Sequence, residues 1–121
     1  MSREDTIHYT LQLDVAEGKM AEFAALADQA ISHCEANEPG CLVYKWDGDG
    51  QTVRIHERFS DEAAMITHAT GPAATEIFPK LLEISELVGS IDVHGDLSPA
   101  GMEALVPFGA TVHGSWKGFE R

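Results

Sequence analysis

Basic residues are scarce in this 121-residue chain: 8 Lys and Arg stand against 20 Asp and Glu, a formal net charge of −12. Phosphate contacts need clustered Lys and Arg, and here they are scattered from Arg3 to Arg121. Neither nucleic acid nor an anionic membrane is therefore expected as a partner. Cysteine is also scarce. Cys34 and Cys41 are too few for a disulfide framework, and their spacing fits no zinc pattern. They read as small apolar residues of a reduced protein. No apolar run approaches the roughly 20 residues that span a bilayer. The N-terminal MSREDTIHYT is polar and acidic, unlike a secretory signal, so we expect a cytoplasmic protein. GxGxxG, P-loop and GxSxG motifs are absent, which removes the sequence grounds for a nucleotide cofactor or serine hydrolysis. The length suits one domain of about 100–150 residues and excludes separate cofactor and substrate domains.

What is present is periodic. In residues 7–15 (IHYTLQLDV), Ile7, Tyr9, Leu11, Leu13 and Val15 alternate with His8, Thr10, Gln12 and Asp14, the pattern of a half-buried strand. Residues 17–36 switch to helical spacing, with Met20, Phe23, Ala27, Ala30, Ile31 and Cys34 on one face. Asn37-Glu38-Pro39-Gly40 stops that helix. Residues 41–47 alternate again, with Leu42, Tyr44 and Trp46 on one side. Asp47-Gly48-Asp49-Gly50 signals a hairpin into a strand over 52–59. Ser60-Asp61-Glu62 reads as a helix start. That helix runs to about Thr70, Gly71-Pro72 interrupts it, and a second helical piece covers about 73–86. Residues 87–94 read as a last strand, Ser98-Pro99 as the capped start of a short helix, and 110–113 as one more short strand.

The order β-α-β-β-α-β is the ferredoxin-like pattern, an α+β fold with an antiparallel sheet and helices on one face. The other sheet face then carries His8, Thr10, Gln12, Asp14, Arg54, His56, Arg58, Asp92 and His94. It is either solvated or covered by a partner copy in a twofold dimer. His8, His56, His94 and His113 show no HxxxH, HxH or carboxylate-histidine spacing, so no metal site is expected from them. Salt bridges of Asp14 and Asp92 with Arg54 and Arg58 across a dimer are the better account of that face.

Two motifs resemble the antibiotic biosynthesis monooxygenase (ABM) family of the dimeric α+β barrel superfamily. The first is Glu38-Pro39-Gly40-Cys41-Leu42 with Tyr44; the second is Glu57, Phe59, Asp61, Ala64 and His68. The resemblance covers about residues 6–95, and Phe59 stands where oxygenase members often have tryptophan. It implies a homodimer with sheets packed back to back, and a pocket in each subunit between helices and sheet. It also implies a small-molecule substrate, with some members oxidising aromatic polyketides or quinols without cofactor or metal. Residues 1–96 then form the ABM-like domain. Residues 97–121 are a C-terminal extension packed on that domain or on the dimer partner, with Trp116, Phe119 and Arg121 folding over the pocket mouth or reaching across the dimer.

His68, Glu57 and Tyr44 are the candidate catalytic residues. Imidazole titrates near neutrality and suits His68 to moving a proton, although a histidine near a helix end is also favoured by the dipole. Glu57 lies on the apolar side of its strand, where a carboxylate must be paired or shifted in pKa. It either orients His68 and holds a proton, or makes a structural hydrogen bond. Trp46, Phe59 and Tyr9 are the candidate pocket walls, able to stack an aromatic substrate that Tyr44 hydrogen-bonds. The expected activity is a cofactor-independent, monooxygenase-like oxidation of a small aromatic or quinone-type molecule. An isomerase of the same fold and a non-catalytic ligand-binding or stress protein are the alternatives.

Overall fold

In the computed structural model, which describes residues 6–121, β1 (Ile7–Val15), α1 (Met20–Asn37), β2 (Cys41–Asp49), β3 (Thr52–Phe59) and α2 (Glu62–Thr70) follow one another. A π-helical turn (Ala73–Ile77) leads into α3 (Phe78–Glu83) and β4 (Ser85–His94). Then come α4 (Pro99–Leu105), a 3-10 turn (Val106–Phe108) and β5 (Thr111–His113). The sheet runs β2-β3-β1-β4-β5. Its first four strands pair antiparallel in the ferredoxin-like order, and β5 adds to β4 in parallel. The sheet of one chain is open. No helix among the described residues is long and apolar enough to cross a membrane.

The alternation of β1 explains the layering. Ile7, Tyr9, Leu11, Leu13 and Val15 are all buried, and they meet Val53, Ile55, Phe59, Ile91 and Val93 of the flanking strands and Phe23, Met65 and Leu81 of the helices in one core. His8, Thr10, Gln12 and Asp14 point the other way and stay wholly or partly exposed. A central strand buried on one face has its register strongly specified, because a one-residue slip would turn every apolar side chain outward.

Four local details differ from the expectations. The first helix begins at Met20, because Gly18 takes a left-handed φ of 80° and makes residues 17–18 a turn. Leu42 is 46 % exposed, apart from Tyr44 and Trp46. A bulge sets Cys41 opposite Phe59 and Val43 opposite Arg58, so Leu42 is the extra residue and falls out of alternation. The helix after Gly71-Pro72 ends at Glu83, because Ser85 and Glu86 pair with Val15 and Asp14 of β1. That helix also opens with a π turn. Pro79 has no N–H to give, and Phe78 N–H reaches back five residues to the Ala73 carbonyl instead.

Capping follows the sequence at α2, where Asp61 accepts a hydrogen bond from Ala64 N at 2.8 Å. It does not at α4. The Ser98 side chain makes no cap; its hydroxyl and N–H both donate to the Glu62 carboxylate, at 2.8 and 2.7 Å. Glu62 thus ties α4 to α2, and Leu105 of α4 enters the core. The last residues take a different course from the pocket-mouth option. Glu120 lies on the open sheet face, accepting from Thr6 at 2.8 Å and pairing with His8 at 3.1 Å and Arg58 at 3.2 Å. Trp116 and Phe119 remain 87 % and 82 % exposed. Arg58 and Asp92, expected to bridge protomers, have partners in the same chain, Glu120 and His113.

The approach of α2 to the turn before β2 is the tightest contact that bears on function. A Cβ on Gly40 would lie 2.5 Å from the Ala64 Cβ, so only glycine facing alanine lets α2 sit this close. We predict that Gly40→Ala lowers stability in urea unfolding by about 1–3 kcal/mol, the range for overpacking. Gly48→Ala, whose Cβ meets nothing within 4 Å, should change it far less.

Candidate functional site

Three elements each bring one ionisable side chain to the same buried point. Glu38 is the C-cap residue of α1, where Pro39 ends the helix. Glu57 belongs to the inward-facing set of β3. His68 sits in the last turn of α2, a favourable place for a cation. All three are 5–6 % exposed. His68 Nδ1 donates to Glu38 Oε1 at 2.8 Å, and its Nε2 lies 2.9 Å from Glu57 Oε1. The Glu57 contact is an ion pair that lacks the alignment of a straight hydrogen bond, for Glu57 Oε1 has no hydrogen-bond partner. Cys34 Sγ stands 3.6 Å from the same Nδ1.

The electrostatics follow from this geometry. Burial by itself would lower the pKa of His68, but contacts with Cys34, Glu38 and Glu57 outweigh it and push it up to about 12. Burial likewise resists ionisation of Glu38, yet the hydrogen bond from His68 holds its carboxyl below the usual range. The buried centre is therefore carboxylate–imidazolium–carboxylate. With its pKa raised this way, His68 is poorly suited to the role of free base expected from an ordinary imidazole. Tyr9 and Tyr44 are raised far above ordinary phenols by burial, reinforced by the charge of Glu57. Both stay neutral.

A cavity opens on the Glu57 side of His68. Tyr9, Tyr44, Glu57 and His68 supply its polar groups, while Ile55, Ala73, Ala74, Phe78, Leu105 and Phe108 are among its apolar walls. Its free volume is about 40 Å³. The Tyr9 hydroxyl is buried and has no hydrogen-bond partner among the described residues. The candidates His68, Glu57 and Tyr44 thus line one cavity, joined by Tyr9. Trp46 and Phe59 do not line it. Trp46 packs edge-on against Phe23 and Tyr44 with ring centroids 6.0 and 5.5 Å away. Phe59 is fully buried and braces Tyr9 and His68, each at 5.2 Å between centroids. Both stand one layer behind the wall, because β2 and β3 send them under α1 and α2.

Glu38, Cys34, Phe78 and Phe108 escaped the sequence reading as site residues. Glu38 had a signal, an acid at the helix stop ahead of Pro39-Gly40, but its partner is 30 residues away. Phe78 and Phe108, centroids 6.4 Å apart, close the outer end of the cavity from α3 and the 3-10 turn; nothing in their local sequence signals that meeting.

The antibiotic biosynthesis monooxygenase family model matches residues 6–80, more than half of the chain, and the chain belongs to this family. MupZ from Pseudomonas fluorescens is 21 % identical, covers 97 % of this chain and 95 % of its own, and superposes with a TM-score of 0.78. A conserved protein from Methanosarcina mazei is 22 % identical, with a TM-score of 0.68 over 78 % of this chain and 96 % of its own. A Caulobacter crescentus protein described as a candidate antibiotic biosynthesis monooxygenase is 20 % identical, with a TM-score of 0.68 over 80 % of this chain and 94 % of its own. At these identities the likeness concerns the fold alone. The match to MupZ takes in nearly the whole chain, whereas the other two leave about a fifth of it uncovered. No curated protein matches the sequence.

Two outcomes test the charge state and its energetics. In chelator-treated protein, His68 should keep both ring protons past pH 8 in ring-nitrogen NMR. Its folded pKa is raised above the unfolded value of about 6.5. The stability it contributes is therefore fully present below about pH 6.5 and declines as pH climbs toward about 12. Glu38→Ala should cost about 3–5 kcal/mol in urea unfolding, the usual effect of breaking a buried ion pair. His56→Ala, on the open face beside exposed Asp47, should stay within about 0.5 kcal/mol.

Proposed function

We propose that the protein is a monooxygenase-like enzyme that oxidises a small, uncharged hydroxyaromatic or quinol-type molecule with molecular oxygen. The single observation that carries this reading is the Tyr9 hydroxyl, buried without a hydrogen-bond partner among the described residues, in a cavity that it lines together with Glu57. Buried polar groups are seldom left unpaired, and a substrate hydroxyl or carbonyl would satisfy it. In this reading Glu57 accepts the hydroxyl proton of the substrate. Tyr9 and Tyr44 hydrogen-bond its oxygen, and His68 holds Glu57 in place and offsets the added charge. The electron-rich ring then reacts with oxygen directly. A ring CH2 becomes a carbonyl, one oxygen atom enters the product and the other leaves as water, so the substrate supplies all the electrons. The apolar walls exclude water from that step.

The free volume of about 40 Å³ is well below the roughly 150 Å³ of a cavity that takes benzene. Substrate entry therefore requires Phe78 and Phe108 to swing aside. The same small volume favours a second reading, a ligand-binding protein without turnover. A second copy packed on the open sheet face, where mixed charges already pair, completes the proposed assembly as a homodimer.

An oxygen electrode with a panel of anthrones, hydroxynaphthalenes and quinols separates these readings. Oxygen uptake equal to ketone formed is expected, with kcat reduced about 10²- to 10⁴-fold in Glu57→Gln, the usual contribution of a positioned base. Ligand binding with no oxygen uptake would establish the second reading, and turnover that Glu57→Gln leaves untouched would remove Glu57 from the chemistry.

A further inference from the structure

On the side of His68 turned away from the cavity, three donor atoms of different chemistry converge. Cys34 Sγ, a Glu38 carboxylate oxygen and His68 Nδ1 all lie within 4.8 Å of one another, each on a buried residue. We propose that this cluster binds one zinc ion, with Cys34, Glu38 and His68 as ligands and His33 completing the coordination.

Thiolate, imidazole and carboxylate are the donors zinc selects, and it holds them tetrahedrally. Cys34 and Glu38 are four residues apart at the end of α1, so one helix end presents both on the same face. With Zn–S of about 2.3 Å and Zn–N of about 2.0 Å, a tetrahedral ion places sulfur and nitrogen about 3.5 Å apart. The Cys34 Sγ–His68 Nδ1 separation is 3.6 Å. The 2.8 Å Glu38–His68 contact would widen by about half an ångström, since zinc spaces oxygen and nitrogen ligands at about 3.3 Å.

A second, independent observation points to a cation ligand. Glu38 Oε2 is buried and has no hydrogen-bond partner among the described residues, and its carboxylate is only 5 % exposed. The nearest further donor is His33 Nε2, 3.6 Å from that oxygen on a partly exposed side chain whose Nδ1 meets the Asn37 amide at 3.3 Å. The outer shell is also in place. Glu57, 2.9 Å from His68 Nε2, stands where metal-bound histidines keep a carboxylate to fix their ring. The exchange preserves charge: the dication displaces the thiol proton of Cys34 and the Nδ1 proton of His68. A buried centre that tolerates the net charge of one state tolerates the other.

This site shares His68 with the proposed oxygen chemistry but lies behind it, since Cys34 and Glu38 do not line the cavity. The test uses the full chain, reduced and stripped with a chelator, then titrated with zinc against a chromophoric competitor and with cobalt(II) by absorption. One ion per chain is expected, with a near-ultraviolet cysteinate-to-cobalt band. Cys34→Ser should abolish that band, and Cys34→Ser and Glu38→Gln should each weaken zinc binding by more than about 100-fold, beyond the effect of an outer-shell change. Glu57→Gln should weaken it about 10- to 100-fold, while His113→Ala on the open face should change nothing. Should the variants fail to fold, the cobalt band of the unaltered protein decides. Absence of that band, failure to take up one equivalent of zinc, or the same affinity in a folded Cys34→Ser variant would overturn the proposal.

Discussion

The buried chain Glu38–His68–Glu57 is the constraint around which the rest of the molecule is arranged. Two carboxylates inside a protein are costly unless a cation sits between them, and the cation is equally costly alone. Each of the three is supplied by a different element: the end of α1, the inner face of β3 and the last turn of α2. None of those elements can shift without leaving a charge unpaired. The Gly40–Ala64 contact serves the same end, since it lets α2 come close enough for His68 to reach Glu38.

The cavity is a consequence of that arrangement. Glu57 and His68 must lie side by side under α2, and the chain beyond Gly71-Pro72 covers them with small and apolar residues. The π turn forced by Pro79 places buried Ala73 and Ala74 against the space, and alanines leave room that larger side chains would fill. α4, tied to α2 through Glu62, brings Leu105 and Phe108 over the remaining opening. The result is an apolar chamber with a few polar groups at one end, the usual composition of a small-molecule site.

Much of the fold was legible because alternation and helical spacing are local signals. β1 and β3 appear in the sequence with their observed limits, and the element order alone indicates the ferredoxin-like sheet. Glu57 was legible as a site residue for a physical reason, being a carboxylate among inward-facing apolar neighbours. Leu42 was misread because a bulge is an extra residue that periodicity cannot register. Trp46 and Phe59 have the composition of pocket walls, but a strand's inward face includes both the surface of a cavity and the packing behind it. Only the positions of α1 and α2 separate the two.

The sequence by itself determined which residues of β1 and β3 turn inward, where α1 and α2 stop, and that Glu57 is a carboxylate among apolar neighbours. These properties depend on neighbours within a few positions along the chain. The tertiary structure alone decided that Glu38, 30 residues before His68, is its second carboxylate, and that His68 is consequently an imidazolium. It also decided that Cys34 faces that ring and that the C-terminal Glu120 lies on the open sheet face. Those outcomes are set by distances between elements, and a pKa depends on such distances far more than on the identity of the residue that carries it.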